Sequence, residues 1–145
     1  MYGLEATGKS AVLQAILKSL STPTTSDGED EPMNGVEHED ILRYAIVKSA
    51  ECITGRHLLE QTTLQIAKAI GYDGTLGRCE NLAQLRVDIG RLLEEWAESS
   101  QGRTRMVLVF DGIDIQKDAP QTLVPALARL GEIVCLPPSA NFTQL

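Results

Sequence analysis

Gly3-Leu4-Glu5-Ala6-Thr7-Gly8-Lys9-Ser10 is the stretch on which the reading of this chain turns. It fits G-x-x-x-x-G-K-S/T, the pattern of a loop that cradles phosphate groups. Each fixed position has a physical task. Gly3 and Gly8 let the backbone curl tightly, with no Cβ in the way of phosphate oxygens. The N–H groups along Glu5, Ala6 and Thr7 can then converge on an anion at the start of a helix, where the helix dipole favours negative charge. Lys9 supplies a point charge for the β- and γ-phosphates. Ser10 offers a hydroxyl to Mg²⁺. Average residue usage makes a chance match on the order of half a per cent in a chain this long. The helix that the mechanism requires also follows, with apolar residues at positions 12, 13, 16, 17 and 20 in the spacing of one helical face.

Such a loop normally follows a buried β-strand, yet only Met1 and Tyr2 precede Gly3. The expectation is therefore a fragment, or a chain whose true start lies upstream.

Composition sets the bounds. At 145 residues, 43% of them hydrophobic, the chain is one domain at most and has enough apolar material for a core. Aromatics are only 4%, which suits an interior of Leu, Ile, Val and Ala. No apolar stretch is long enough to span a membrane, and no basic-then-apolar leader opens the chain. Cys52, Cys79 and Cys135 are widely spaced and form no metal pattern. They read as single buried thiols in a reducing compartment. The net charge of −7 is local: Asp27, Glu29, Asp30, Glu31, Glu37, Glu39 and Asp40 crowd residues 21–40, which hold no Lys or Arg. The remaining chain is neutral, so its charge balance indicates no nucleic-acid-binding patch.

The order of elements follows from periodicity and punctuation. The first helix is predicted to end near Leu20. Residues 21–38 are too polar and acidic to offset their ordering entropy and read as a disordered loop. Tyr44-Ala45-Ile46-Val47-Lys48 reads as a strand. A helix should follow Thr54-Gly55-Arg56-His57 and end at Gly71, with residues 71–79 a Gly-rich loop. Asn81 is the expected N-cap of the next helix, which Ser99-Ser100-Gln101-Gly102 breaks. Met106-Val107-Leu108-Val109-Phe110 reads as a strand buried on both faces. Pro120 is expected to open a fourth helix running to about Leu130. A short strand is predicted over 132–136, followed by an irregular tail from Ser139 to Leu145. Helix alternating with buried strand points to an α/β fold of βαβ units with a mostly parallel sheet.

After the buried run comes Asp111-Gly112-Ile113-Asp114. An Asp at the carboxyl end of a buried strand, about a hundred residues beyond a phosphate-binding loop, is the Walker B arrangement. Its carboxylate can hold Mg²⁺ beside the phosphates. Asp111 is thus the candidate metal carboxylate, together with Ser10. Many ATPases with such a loop carry Glu directly after the Asp to polarise the attacking water. Gly112 stands there instead, and Asp114 is a poor substitute on reach. Lacking a base costs roughly two to four powers of ten in general-base catalysis. Binding of ATP and Mg²⁺ is therefore expected, with hydrolysis weak or absent and no residue assigned as catalytic.

Taken together, these stretches resemble the N-terminal AAA+ region of the origin recognition complex subunit 5 family, within the P-loop NTPases. The phosphate loop with its amphipathic helix is specific only to the superfamily. The run Ala50-Glu51-Cys52-Ile53-Thr54-Gly55-Arg56-His57-Leu58-Leu59-Glu60-Gln61, above all Cys52–Gln61, and the Walker B lacking its Glu carry the narrower resemblance. The resemblance implies a three-layer AAA+ base, here partial, without the helical lid or C-terminal domains. It also implies a nuclear subunit of a ring-like complex that marks replication origins. Its partners would be the other subunits, with DNA met through the assembled complex, and ATP would act mainly as a structural ligand. Arg129 is not assigned as an arginine finger, because no motif places it. Two other readings stand beside this one: a small P-loop kinase or signalling ATPase, and a degraded scaffold that no longer binds nucleotide.

Overall fold

The computed structural model describes residues 8–21, 40–100, 103–115, 122–133 and 140–144. In chain order these form α1 (Lys9–Ser21), β1 (Asp40–Lys48), α2 (Gly55–Ile70), α3 (Leu82–Ser99), β2 (Arg103–Asp111), α4 (Leu123–Ala128), α5 (Leu130–Ile133) and β3 (Ala140–Gln144). Two short 3-10 turns, Ser49–Glu51 and Ile113–Ile115, follow β1 and β2. The strands make one sheet in the order β1-β2-β3, and both pairings are parallel. Parallel neighbours need a crossover, supplied here by α2 and α3 between the first two strands and by α4 and α5 between the next two. The expected α/β architecture, a small parallel sheet flanked by helices, is the one observed.

Strand β2 lies in the middle, so Met106, Val107, Leu108 and Val109 are all buried. Side chains alternate across a strand, and the two faces meet different partners. Leu108 and Met106 join Ala45 and Val47 in the main core, beneath Leu58 and Ile66 of α2 and Leu85, Ile89, Leu92 and Trp96 of α3. Val107 and Val109 face the other way, with Leu42, Tyr44 and Ile46 of β1, and pack against Leu13 and Leu17 of α1. Helix α1 therefore covers one face of the sheet, while α2, α3 and α4 share the other.

The helix limits follow local chemistry. The Thr54 hydroxyl accepts from His57 N–H to start α2, and Gly71 closes it in the left-handed region at φ 74°. The Asn81 side chain accepts from Gln84 N–H at the start of α3. Inside α2, the buried hydroxyls of Thr62 and Thr63 donate back to Leu58 O and Leu59 O, at 2.7 and 3.0 Å. Neither is left unsatisfied in the core.

Several sequence expectations are corrected. Strand β1 begins at Asp40 rather than Tyr44, and β2 at Arg103 rather than Met106. Their first residues are in register, Asp40 with Arg103, so the ladder extends beyond the apolar run of β2. The fourth helix does not run continuously to Leu130: α4 spans Leu123–Ala128 and α5 resumes at Leu130. The proline that fits its first turn is Pro125, whose missing N–H costs nothing where N–H groups lack intrahelical partners. Pro120 lies outside the described residues. Glu132 and Ile133 are helical rather than strand, and the supposedly irregular tail contains β3, which pairs with Thr104 to Leu108. Ser21 is the last residue of α1. The remainder of the segment read as a disordered loop lies outside the described residues.

Candidate functional site

The candidate phosphate site is assembled from α1 and the carboxyl end of β2. Of the loop residues, Gly3, Glu5, Ala6 and Thr7 lie outside the described residues. Gly8 has φ 75°, a conformation that L side chains rarely adopt, so the second glycine of the motif is required by the backbone itself. Its carbonyl accepts the N–H of Val12 at 3.0 Å, the first bond of α1. Lys9 is half-buried and Ser10 exposed. The first turn of α1 holds no acidic residue, so no carboxylate there competes with an anion for the positive end of the helix dipole.

Asp111 is the last residue of β2 and is half-buried. Its parity with Val107 and Val109 puts it on the α1 face of the sheet, the side on which Gly8, Lys9 and Ser10 begin their helix. Gly112 then takes φ 67° and ends the strand. Asp114 is exposed and sits in the 3-10 turn that follows, not on an extension of the strand. Even an extended chain would put a residue three positions on from Asp111 across the sheet. Asp114 thus stands off the strand that carries Asp111.

The chemistry of this donor set suits Mg²⁺ bound with nucleotide. Mg²⁺ usually takes one or two protein oxygens and completes its shell with phosphate and water. Ser10 and Asp111 could supply those two oxygens. Among the described residues, no group of three or more His, Cys, Asp or Glu could hold a metal by itself.

The segment 50–61, one carrier of the family resemblance, turns out to build a helix start. Thr54 is the N-cap, and His57 sits three residues on. His57 N–H donates to Thr54 Oγ1 at 3.1 Å, while His57 Nδ1 accepts from Ile53 N–H at 3.3 Å. The cap hydroxyl holds the N–H three residues on, while the imidazole reaches back to the N–H one residue before the cap, a variant of the capping box with His in place of Glu. Arg56 pairs with Glu60 at 3.5 Å and with Glu80 at 3.0 Å, tying α2 to the loop before α3. The Thr-x-x-His spacing was the available sequence signal for this role, and sequence reasoning passed over it.

Cys52 and Cys79 are free and buried, as expected, whereas Cys135 lies outside the described residues. Burial, and then the charge of Glu51, pushes the Cys52 thiol up. Burial first, and then Asp88, pushes the Cys79 thiol up to about 11. Both thiols are accordingly held neutral and unreactive.

A cavity of about 820 Å³ lies between α3 and α4, lined by Arg86, Val87, Gly90 and Leu130 among others. It belongs to the sheet face opposite α1, away from the phosphate chemistry. No helix among the described residues is long and apolar enough to cross a membrane.

No curated protein matches the chain. The AAA ATPase domain matches over residues 1–138, nearly the whole of it, and this agrees with the parallel sheet, the helix opened by Gly8-Lys9-Ser10 and the strand-end Asp111. The chain therefore belongs to the AAA ATPase domain family, a P-loop nucleotide-binding fold.

Proposed function

We propose that the chain is the nucleotide-binding module of an origin recognition complex subunit, close to subunit 5, that retains ATP rather than turning it over. In this reading the N–H groups of the loop at Gly3, Glu5, Ala6, Thr7 and Gly8 hold phosphate oxygens. Lys9 neutralises the β- and γ-phosphates, and Ser10 and Asp111 hold Mg²⁺. Bound Mg²⁺ would draw charge from the phosphate oxygens. The observation that carries the reading is the end of β2. A strand-end carboxylate on the α1 face is followed at once by a glycine, so the metal ligand is kept and the water-activating carboxylate is missing. Such a site serves as a structural ligand joint between subunits better than as a motor. The partners would be the neighbouring subunits of a nuclear complex, with DNA engaged by the assembly as a whole.

The test is ATP affinity and turnover on the full-length protein, with and without Mg²⁺. Lys9→Ala should abolish binding, because a point charge at the phosphates is lost. Turnover without partner subunits should stay far below that of ordinary ATPases, on the order of one per second or more. Rapid unaided hydrolysis would sink the proposal. Phosphoryl transfer to a small nucleotide would replace it with the kinase reading.

A further inference from the structure

Gly112 is more than an absent Glu. Its φ of 67° lies in the left-handed region, where an L side chain meets the following carbonyl. The strand stops at Asp111 because the chain turns there. Two consequences are visible. Ile113, the next residue, packs against the main core. The turn Ile113–Ile115 lies against the turn Ser49–Glu51 that follows β1. The ends of both strands are thus tied together just beyond Lys48 and Asp111, which are register partners.

We infer that the left-handed turn at Gly112 is the device that keeps this site from hydrolysing nucleotide, so that restoring the carboxylate alone does not restore hydrolysis. The inference rests on the nucleotide-binding reading above. A Glu at this position has two options. It can keep the left-handed turn, at a cost on the order of tenfold in the folding equilibrium, with its Cβ off the direction that the extended residues of β2 give theirs. Or it can relax to an extended conformation, which continues the strand and draws Ile113 and its turn away from their packing. Neither option supplies a preorganised base, and a base must be positioned before its pKa matters. Gly112 is therefore a positioning residue: its turn ends β2 at Asp111 and seats Ile113.

Gly112→Glu, Gly112→Ala and Gly112→Asn in the full-length protein test this, with Lys9→Ala as the control for nucleotide binding. Thermal midpoints should fall for the Ala and Glu variants and much less for Asn, which tolerates the left-handed region. Gly112→Glu should still bind ATP but stay within about tenfold of wild-type turnover, against the 10²–10⁴-fold that a placed general base contributes. Turnover raised a hundredfold or more by Gly112→Glu would overturn the inference. So would an Ala variant that melts with the wild type. If Lys9→Ala leaves ATP binding unchanged, the nucleotide reading fails, while the melting order of the three Gly112 variants still decides whether the turn is as inferred.

Discussion

Thr54→Ala separates a structural role of the segment 50–61 from a role in the nucleotide site. The hydroxyl of Thr54 accepts the N–H of His57 at 3.1 Å, on an exposed turn. Loss of an N-cap Thr costs about 0.5–2 kcal/mol, and exposed caps, whose N–H groups water can partly satisfy, sit in the lower half of that range. An estimate of about 1 kcal/mol follows for Thr54→Ala. His57→Ala removes the reciprocal acceptor at Ile53 N–H, 3.3 Å away. Ile53 is 82% exposed, so water replaces that bond at a smaller cost, about 0.5 kcal/mol. The two bonds share one turn, so the double variant should depart from additivity by about 0.5 kcal/mol. With a urea slope of about 2 kcal/mol/M, Thr54→Ala lowers the midpoint by roughly 0.5 M. Thr54→Ser, which keeps the hydroxyl, should lie close to the wild type. Meanwhile the ATP affinity of Thr54→Ala should stay within about twofold, since nothing in its hydrogen bonding touches α1 or Asp111. Two results would refute the reasoning: an unchanged urea midpoint, or a tenfold loss of ATP affinity at full stability. The second would make this turn part of the nucleotide site.

Leu108 is fully buried on the central strand, and Leu108→Ala should cost about 2–5 kcal/mol, read as a large loss of urea midpoint. A cost below 1 kcal/mol would mean that β2 is not the centre of the core. Cys79 yields a pH dependence with a definite sign. Its folded thiol titrates at about 11 against an ordinary 9.0, so the folded chain holds a proton that the unfolded chain releases. That contribution is whole below pH 9 and is lost as pH rises from 9 toward 11. Over that range the wild-type urea midpoint should fall more steeply than that of Cys79→Ala, and parallel curves would refute the assignment.

Much of the fold was legible where one residue type answers one local need. Asn81 and Gly71 mark helix ends in the sequence because a cap is satisfied within a few residues. The run 106–110 announced a strand buried on both faces because only a central parallel strand tolerates apolar side chains on both sides. The far end of the chain was misread for the converse reason. Residues 140–144 show no alternation strong enough to mark a strand, and they become β3 through the ladder that Thr104 to Leu108 offers. Ile133 carries β-propensity, yet it finishes a helical turn with Glu132, since β-propensity is a weak and context-dependent preference.

The candidate site divides in the same way. From residue types and spacing came the phosphate loop, Lys9, Ser10, the strand-end Asp111 and the missing Glu. Each follows from chemistry that needs a given side chain at a given offset. Three-dimensional packing decided the rest. It set the face of the sheet on which Asp111 stands, because that depends on which side α1 covers. It made segment 50–61 a reciprocal helix cap. And it held Gly112 in a left-handed turn, a property of backbone angles that no residue name carries. The glycine in the sequence shows that a carboxylate is missing. The φ of that glycine, fixed by the seating of Ile113 and the contact between two strand-end turns, explains why adding the carboxylate back would not be enough.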